Sequence, residues 1–137
     1  MKTFTKLITI LFISLLSSPS FSETVSMDDL VEIGELYYKK FTDTPFTGEI
    51  SGKENGSFKS GKKRGLWKSY FDNGRLWEKG NYKDGKREGL WKKFYKEGEF
   101  LTKENYKDGK LDGFSEVYHK NGQLAAKGNF KDGKEDG

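Results

Sequence analysis

Apolar and polar positions alternate along most of the chain in short runs, each closed by a glycine-bearing turn signal. Leu66-Trp67-Lys68-Ser69-Tyr70-Phe71 is one such run and ends at Asp72-Asn73-Gly74. Leu76 to Lys83 is the next and ends at Asp84-Gly85-Lys86. Asn-Gly and Asp-Gly supply the positive φ that tight turns require, so runs of strand length between them predict β-hairpins. Helices are disfavoured, because glycine returns too often for two helical turns to survive.

The pattern recurs without a gap. Residues 56–79, 80–103 and 104–127 align at a period of 24, and a partial copy occupies 128–137. Gly61, Gly85, Gly109 and Gly133 hold one position of the repeat; Gly65, Gly89, Gly113 and Gly137 hold another; Gly74, Gly98 and Gly122 a third. Such fixed-period similarity marks a repeat architecture. The predicted fold is therefore all-β: an elongated single-layer antiparallel sheet of stacked 24-residue β-hairpin repeats. Alternation with period 2 assigns the faces. Positions 66/90/114, 70/94/118, 76/100/124 and 82/106/130 are apolar or aromatic and are expected to form the buried face. Trp67, Trp91 and Ser115, with Phe71, Tyr95 and His119, are expected on a partly exposed aromatic surface. The partial last copy ends after a strand and a turn, which is expected to leave a strand edge open to pairing with another chain.

Ahead of the repeats, 34–55 reads as an abbreviated opening hairpin, with Tyr37 to Phe41 as one strand, Thr42 to Pro45 as the turn and Phe46 to Ser51 as the return. Residues 23–33 read as a loose acidic tail, in which Ser26-Met27-Asp28-Asp29 carries a capping signal for at most a short turn of helix. Residues 1–22 have the layout of a signal peptide. Lys2 and Lys6 precede the uncharged run Leu7 to Leu16, and Ser20 and Ser22 place small residues before a cleavage point after Ser22. The apolar run is shorter than the roughly 20 residues a spanning helix needs. The expected location is secreted or periplasmic.

Composition adds constraints. Cysteine is absent, which removes disulfides, thiolate metal sites and a thiol nucleophile. Charged residues make up 34% of the chain, near the range of disordered proteins, yet aromatics at 15% can bury large areas in a thin sheet. Charge is unevenly placed: 23–55 carries 3 basic and 8 acidic groups, 56–103 carries 14 and 6, and 104–137 carries 6 and 7. The middle of the chain is basic. Because the chain after Ser22 is close to balanced overall, nucleic acid is not the expected partner. No catalytic constellation can be assembled around His119, the single histidine. Asp84, Asp108 and Asp132 read as turn residues, since a calcium loop needs a denser run of carboxylates. The expectation is a protein without enzymatic activity, cofactor or metal.

Tyr82-Lys83-Asp84-Gly85-Lys86-Arg87-Glu88-Gly89 and Tyr106-Lys107-Asp108-Gly109-Lys110-Leu111-Asp112-Gly113, with weaker copies from Phe58 and Phe130, resemble the MORN repeat. They are more closely similar to its bacterial variant, often labelled antitoxin-like. The resemblance covers 56–137, or 34–137 with the opening hairpin. It implies a twisted sheet of stacked hairpins with an aromatic-lined groove, and a role in protein–protein assembly or on anionic phospholipid surfaces. Trp67 and Trp91 stand where the usual pattern has a second small residue, which changes the groove. The candidate binding residues are Trp67, Tyr70, Trp91 and Phe94. The expected function is an exported binding or assembly module contacting a protein partner or another copy of itself. The alternatives are an antitoxin-like inhibitor, and a binder of anionic lipid or envelope glycan through 56–103.

Overall fold

A computed structural model describes residues 22–137; the segment 1–22, expected to be a signal peptide, lies almost wholly outside them. The strands are β1 (Thr24–Val25), β2 (Leu30–Ile33), β3 (Leu36–Lys39), β4 (Gly48–Ile50), β5 (Glu54–Lys59), β6 (Lys62–Tyr70), β7 (Leu76–Lys83), β8 (Lys86–Phe94), β9 (Phe100–Lys107), β10 (Lys110–Tyr118), β11 (Leu124–Lys131) and β12 (Lys134–Glu135). From β4 to β12 each strand pairs with the next, and β1 joins β4 in parallel to complete a ten-stranded sheet. This is the single-layer antiparallel hairpin array expected from the repeat.

Turn chemistry acts as the sequence dictates. Asp84 and Gly85 have φ of 50° and 80°, and Asp108-Gly109 and Asp132-Gly133 repeat the geometry. Both central residues are left-handed, which matches the twist of the strands they join. The Asp-Gly turns also stack on one another. Gly85 N donates to Lys63 O at 2.9 Å, Gly109 N to Arg87 O at 3.0 Å and Gly133 N to Leu111 O at 2.8 Å. At the opposite rim, the Arg75 guanidinium donates to the carbonyls of Lys96 and Glu97 in the next turn.

The faces differ from the alternation reading. Trp67 and Trp91 are 2% and 1% exposed and Ser115 is buried, while Leu66, Leu90 and Phe114 are 53%, 40% and 41% exposed. Two features of the backbone produce the reversal. Tyr70 pairs with Leu76 but Ser69 with Glu78, so Trp77 is an extra residue. Leu101 and Ala125 are extra in the later repeats. A one-residue bulge inverts alternation beyond it. Leu76 therefore shares a face with Tyr70, whereas Tyr82, five residues past the bulge, joins Trp67 on the other side.

The second feature is a cradle. A Cβ on Gly56 would lie 2.3 Å from the Trp67 ring, and one on Gly80 would lie 2.2 Å from the Trp91 ring. Each indole rests on the bare backbone of the preceding strand, a place only glycine leaves open. The rings then interleave along the sheet. Phe58–Trp67, Trp67–Tyr82 and Tyr82–Trp91 have centroids 5.3, 5.4 and 5.0 Å apart, all edge to face. This row is the core of the repeats; among the described residues the only other sheet, the two-stranded β2–β3, packs on the cluster through Leu30 and Tyr37.

The segment before the repeats is ordered structure, not a loose tail. Ser26 N and Oγ both donate to the Asp29 carboxylate at 2.9 Å and cap a short 3-10 turn, Met27–Asp29. Leu30 is buried, and Val25 and Met27 pack on the core. The hairpin is β2–β3, not β3 with the return strand; only one bridge, Tyr38 to Pro45, links those two regions. Pro45 has no N–H to give a ladder, and Phe41 sits at φ 65°, so the chain cannot run straight back along β3. Tyr37 N donates to Gly61 O, and Tyr37 packs on Phe58 at 5.0 Å, closing the first end of the ring row as terminal repeats must.

Candidate functional site

The ring face is lidded by cations. Lys63 Nζ lies 4.4 Å from the Trp67 ring centroid and 5.2 Å from that of Tyr82; Arg87 Cζ lies 3.9 Å from that of Trp91. Such contacts gain strength as water is excluded. Burial lowers the Lys63 pKa, and Glu54 and Glu32 only partly restore it. Burial is the largest influence on Arg87 and disfavours its charge, but Glu78 and Tyr82 together outweigh it and the guanidinium pKa rises. Arg87 Nη2 donates to both Glu78 carboxylate oxygens at 3.0 Å. Where the third repeat lacks the indole, Ser115 faces Glu104, which accepts from Tyr106 Oη at 3.1 Å.

Beside this face, at the Asp-Gly rim, lies a cleft of about 670 Å³ bounded by Glu32, Glu35, Tyr37, Lys63, Tyr82 and Lys86. Its acids and bases offset one another. Burial, and then the Glu32 carboxylate, push the Tyr37 phenol up to about 12. An unfolded tyrosine ionises near 10, so the contribution of Tyr37 to stability is complete below about pH 10 and is lost as pH rises toward 12. Tyr37→Phe should flatten the fall in stability across that window, measured by urea unfolding at fixed pH steps. An unchanged slope would refute this assignment.

The expected site is divided by the sheet. Trp67 and Trp91 belong to the covered ring face and act as core, contrary to their expected role as an exposed surface. The reason is the glycine cradle, which only the paired strands reveal. Trp91 Nε1 donates to Asn81 O at 3.1 Å; Trp67 Nε1 has no partner among the described residues. Tyr70 and Phe94 stand on the opposite, open face. Phe94 packs on Phe100 at 5.2 Å, and Phe100 on Tyr118 at 6.3 Å. Tyr70, Leu66 and Lys68 line a shallow groove of about 350 Å³ with Asn55. His119 is exposed at a turn, where its backbone N–H donates to Gln123 O.

Reading the residues alone missed what lies between the apolar stripes of the open face. Lys68 pairs with Lys79, Lys79 with Lys92, and Lys92 with Lys103. Glu116 follows Lys103, and Lys127 follows Glu116. Four lysines thus stand in line on neighbouring strands, about 4.8 Å apart in the pairing direction. Leu66, Leu90 and Phe114 flank them on one side and Tyr70, Phe94, Phe100 and Tyr118 on the other. The signal was present as lysine at 68 and 92 and at 79 and 103, but only the strand register joins the two series.

Geometry and repeat define the class: a single-layer sheet of MORN-type hairpins. A family model described as the MORN repeat variant matches residues 63–84, 87–108 and 111–132. Those residues form three consecutive MORN-variant repeats. No curated protein matches the chain.

Proposed function

We propose that this protein is an exported, non-enzymatic binding module that engages its partner through the open face of the sheet. The observation that carries this is the exposure of Leu66, Leu90 and Phe114 in register along one side, while the opposite side is packed and lidded. Leu66, Leu90 and Phe114 alternate along their row with Asn81, Asn105 and Asn129, and exposed apolar side chains interleaved with amides beside aromatic neighbours are the mixed composition of an interface. MORN repeats serve generally in contacts with proteins or membrane lipids, and a sheet of this shape offers many repeated weak contacts instead of a catalytic pocket. Residues 1–22 act as a cleaved leader and direct the chain to the periplasm or exterior. An antitoxin-like role would be a special case, with one stoichiometric protein as the partner. Self-association face to face is disfavoured, because it would set one lysine row against another.

Leu90→Glu combined with Phe114→Glu tests the reading. Both side chains are about 40% exposed, so the pair should change stability by no more than about 1 kcal/mol. Recovery of envelope components on immobilised protein should fall at least about tenfold. Equal recovery by the variant, with folding intact, would place the binding surface elsewhere.

A further inference from the structure

The lysine row is unfavourable for folding by itself, since like charges directly opposite on neighbouring strands repel. Lys68, Lys79, Lys92 and Lys103 take no part in the ion pairs found among the described residues, which use Lys39, Lys53, Arg87, Lys120 and Lys131. Lys103 instead leans on rings of its own face, with Nζ 4.1 Å from the centroid of Phe100 and 5.0 Å from that of Tyr118. A line of four ammonium groups in no ion pair among the described residues, with one acid, Glu116, opposite its last member and with ring edges and leucines along its borders, calls for a ligand with the complementary layout. That ligand is a linear chain, with one negative charge per unit and flat apolar surfaces beside the charges.

We infer that the open face is a track for a linear acidic polysaccharide with one carboxylate per sugar. The inference rests on the reading of the open face as the binding face and names the chemistry of its ligand. Sugar carboxylates sit over Lys68, Lys79, Lys92 and Lys103, and pyranose faces lie against Tyr70, Phe94 and Phe100. Lysine suits this use, being a point charge on a flexible stem that tolerates imperfect spacing. An extended acidic peptide fits less well. It offers the rings of Tyr70, Phe94 and Phe100 no flat apolar face beside each charge, as a pyranose does. Glu116 interrupts the row at β10, so the track covers the strands from β6 to β9.

The experiment is titration calorimetry of the purified protein with decagalacturonate, with the fully methyl-esterified oligomer as an uncharged control of the same backbone. Binding to the acid form alone is expected, weakening about tenfold between 50 and 200 mM salt through counterion release and screening. Lys79→Gln with Lys92→Gln should weaken it about tenfold without lowering the thermal midpoint, because a repulsion is removed. Lys62→Gln with Lys86→Gln removes equal charge at the Asp-Gly rim and should weaken it less than twofold. Equal loss in both double variants would reduce the effect to net charge and overturn the track. So would equal binding of the esterified oligomer, or tighter binding of polyglutamate, single-stranded DNA or anionic phosphatidylglycerol vesicles. If decagalacturonate fails to bind while Leu90→Glu with Phe114→Glu still abolishes recovery of a partner, the track is wrong and the binding-face reading stands.

Discussion

Trp91→Ala should destabilise the protein by about 3–5 kcal/mol, the range for removing a large buried aromatic side chain. The indole is 1% exposed, rests on Gly80, meets Tyr82 edge to face and carries Arg87 above it. Its removal also strands the Asn81 carbonyl that Trp91 Nε1 donates to. Domains of this size have about 5–15 kcal/mol in all, so the variant should lie near the edge of folding. Urea unfolding followed by far-UV circular dichroism measures the loss. Trp67→Ala should fall in the same range, with less lost in hydrogen bonding because its N–H has no partner among the described residues. Whatever fraction remains folded should bind at the open face as well as the unmodified protein does. A variant of normal stability and lost binding would return the indoles to the interface.

The second large effect concerns the glycine beneath that ring. Gly80→Glu should cost about 3 kcal/mol, since a Cβ would stand 2.2–2.6 Å from Trp91 ring atoms and the indole must leave its seat. The third repeat already contains the alternative solution, Glu104 opposite Ser115. Installing it one repeat earlier, as Gly80→Glu with Trp91→Ser, should cost less than the sum of the two single changes by about 1–3 kcal/mol. Additive costs would mean that the cradle and the indole are not a unit. The same logic explains why glycine occupies 56 and 80 but not 104: the residue needed there depends on the ring delivered by the following strand.

Much of the fold was legible in advance. The 24-residue period, the strand lengths and the Asp-Gly turns are local properties, readable because positive φ and short apolar runs leave few other conformations. The capping signal at Ser26 was legible for the same reason. The faces were not. Counting alternate residues from Leu76 to Tyr82 passes through Trp77, whose status as a bulge is set by how Tyr70 pairs across the turn. The candidate site inherited that error, so Tyr70 and Phe94 fall on the open surface while Trp67 and Trp91 fall in the core. The tail at 23–33 was misread because three of its apolar residues, Val25, Met27 and Leu30, gain value only against the cluster that contains Phe46, Ile50 and Phe58.

By itself, then, the order of residues determined a repeat of antiparallel hairpins, their turns and their number, because each depends on contacts within a few residues. Only the tertiary structure decided which side of the sheet is core and which is open, and that four lysines form a line. In a single layer no second sheet dictates the inner face; it is settled by whether a ring on one strand finds a bare glycine on the next.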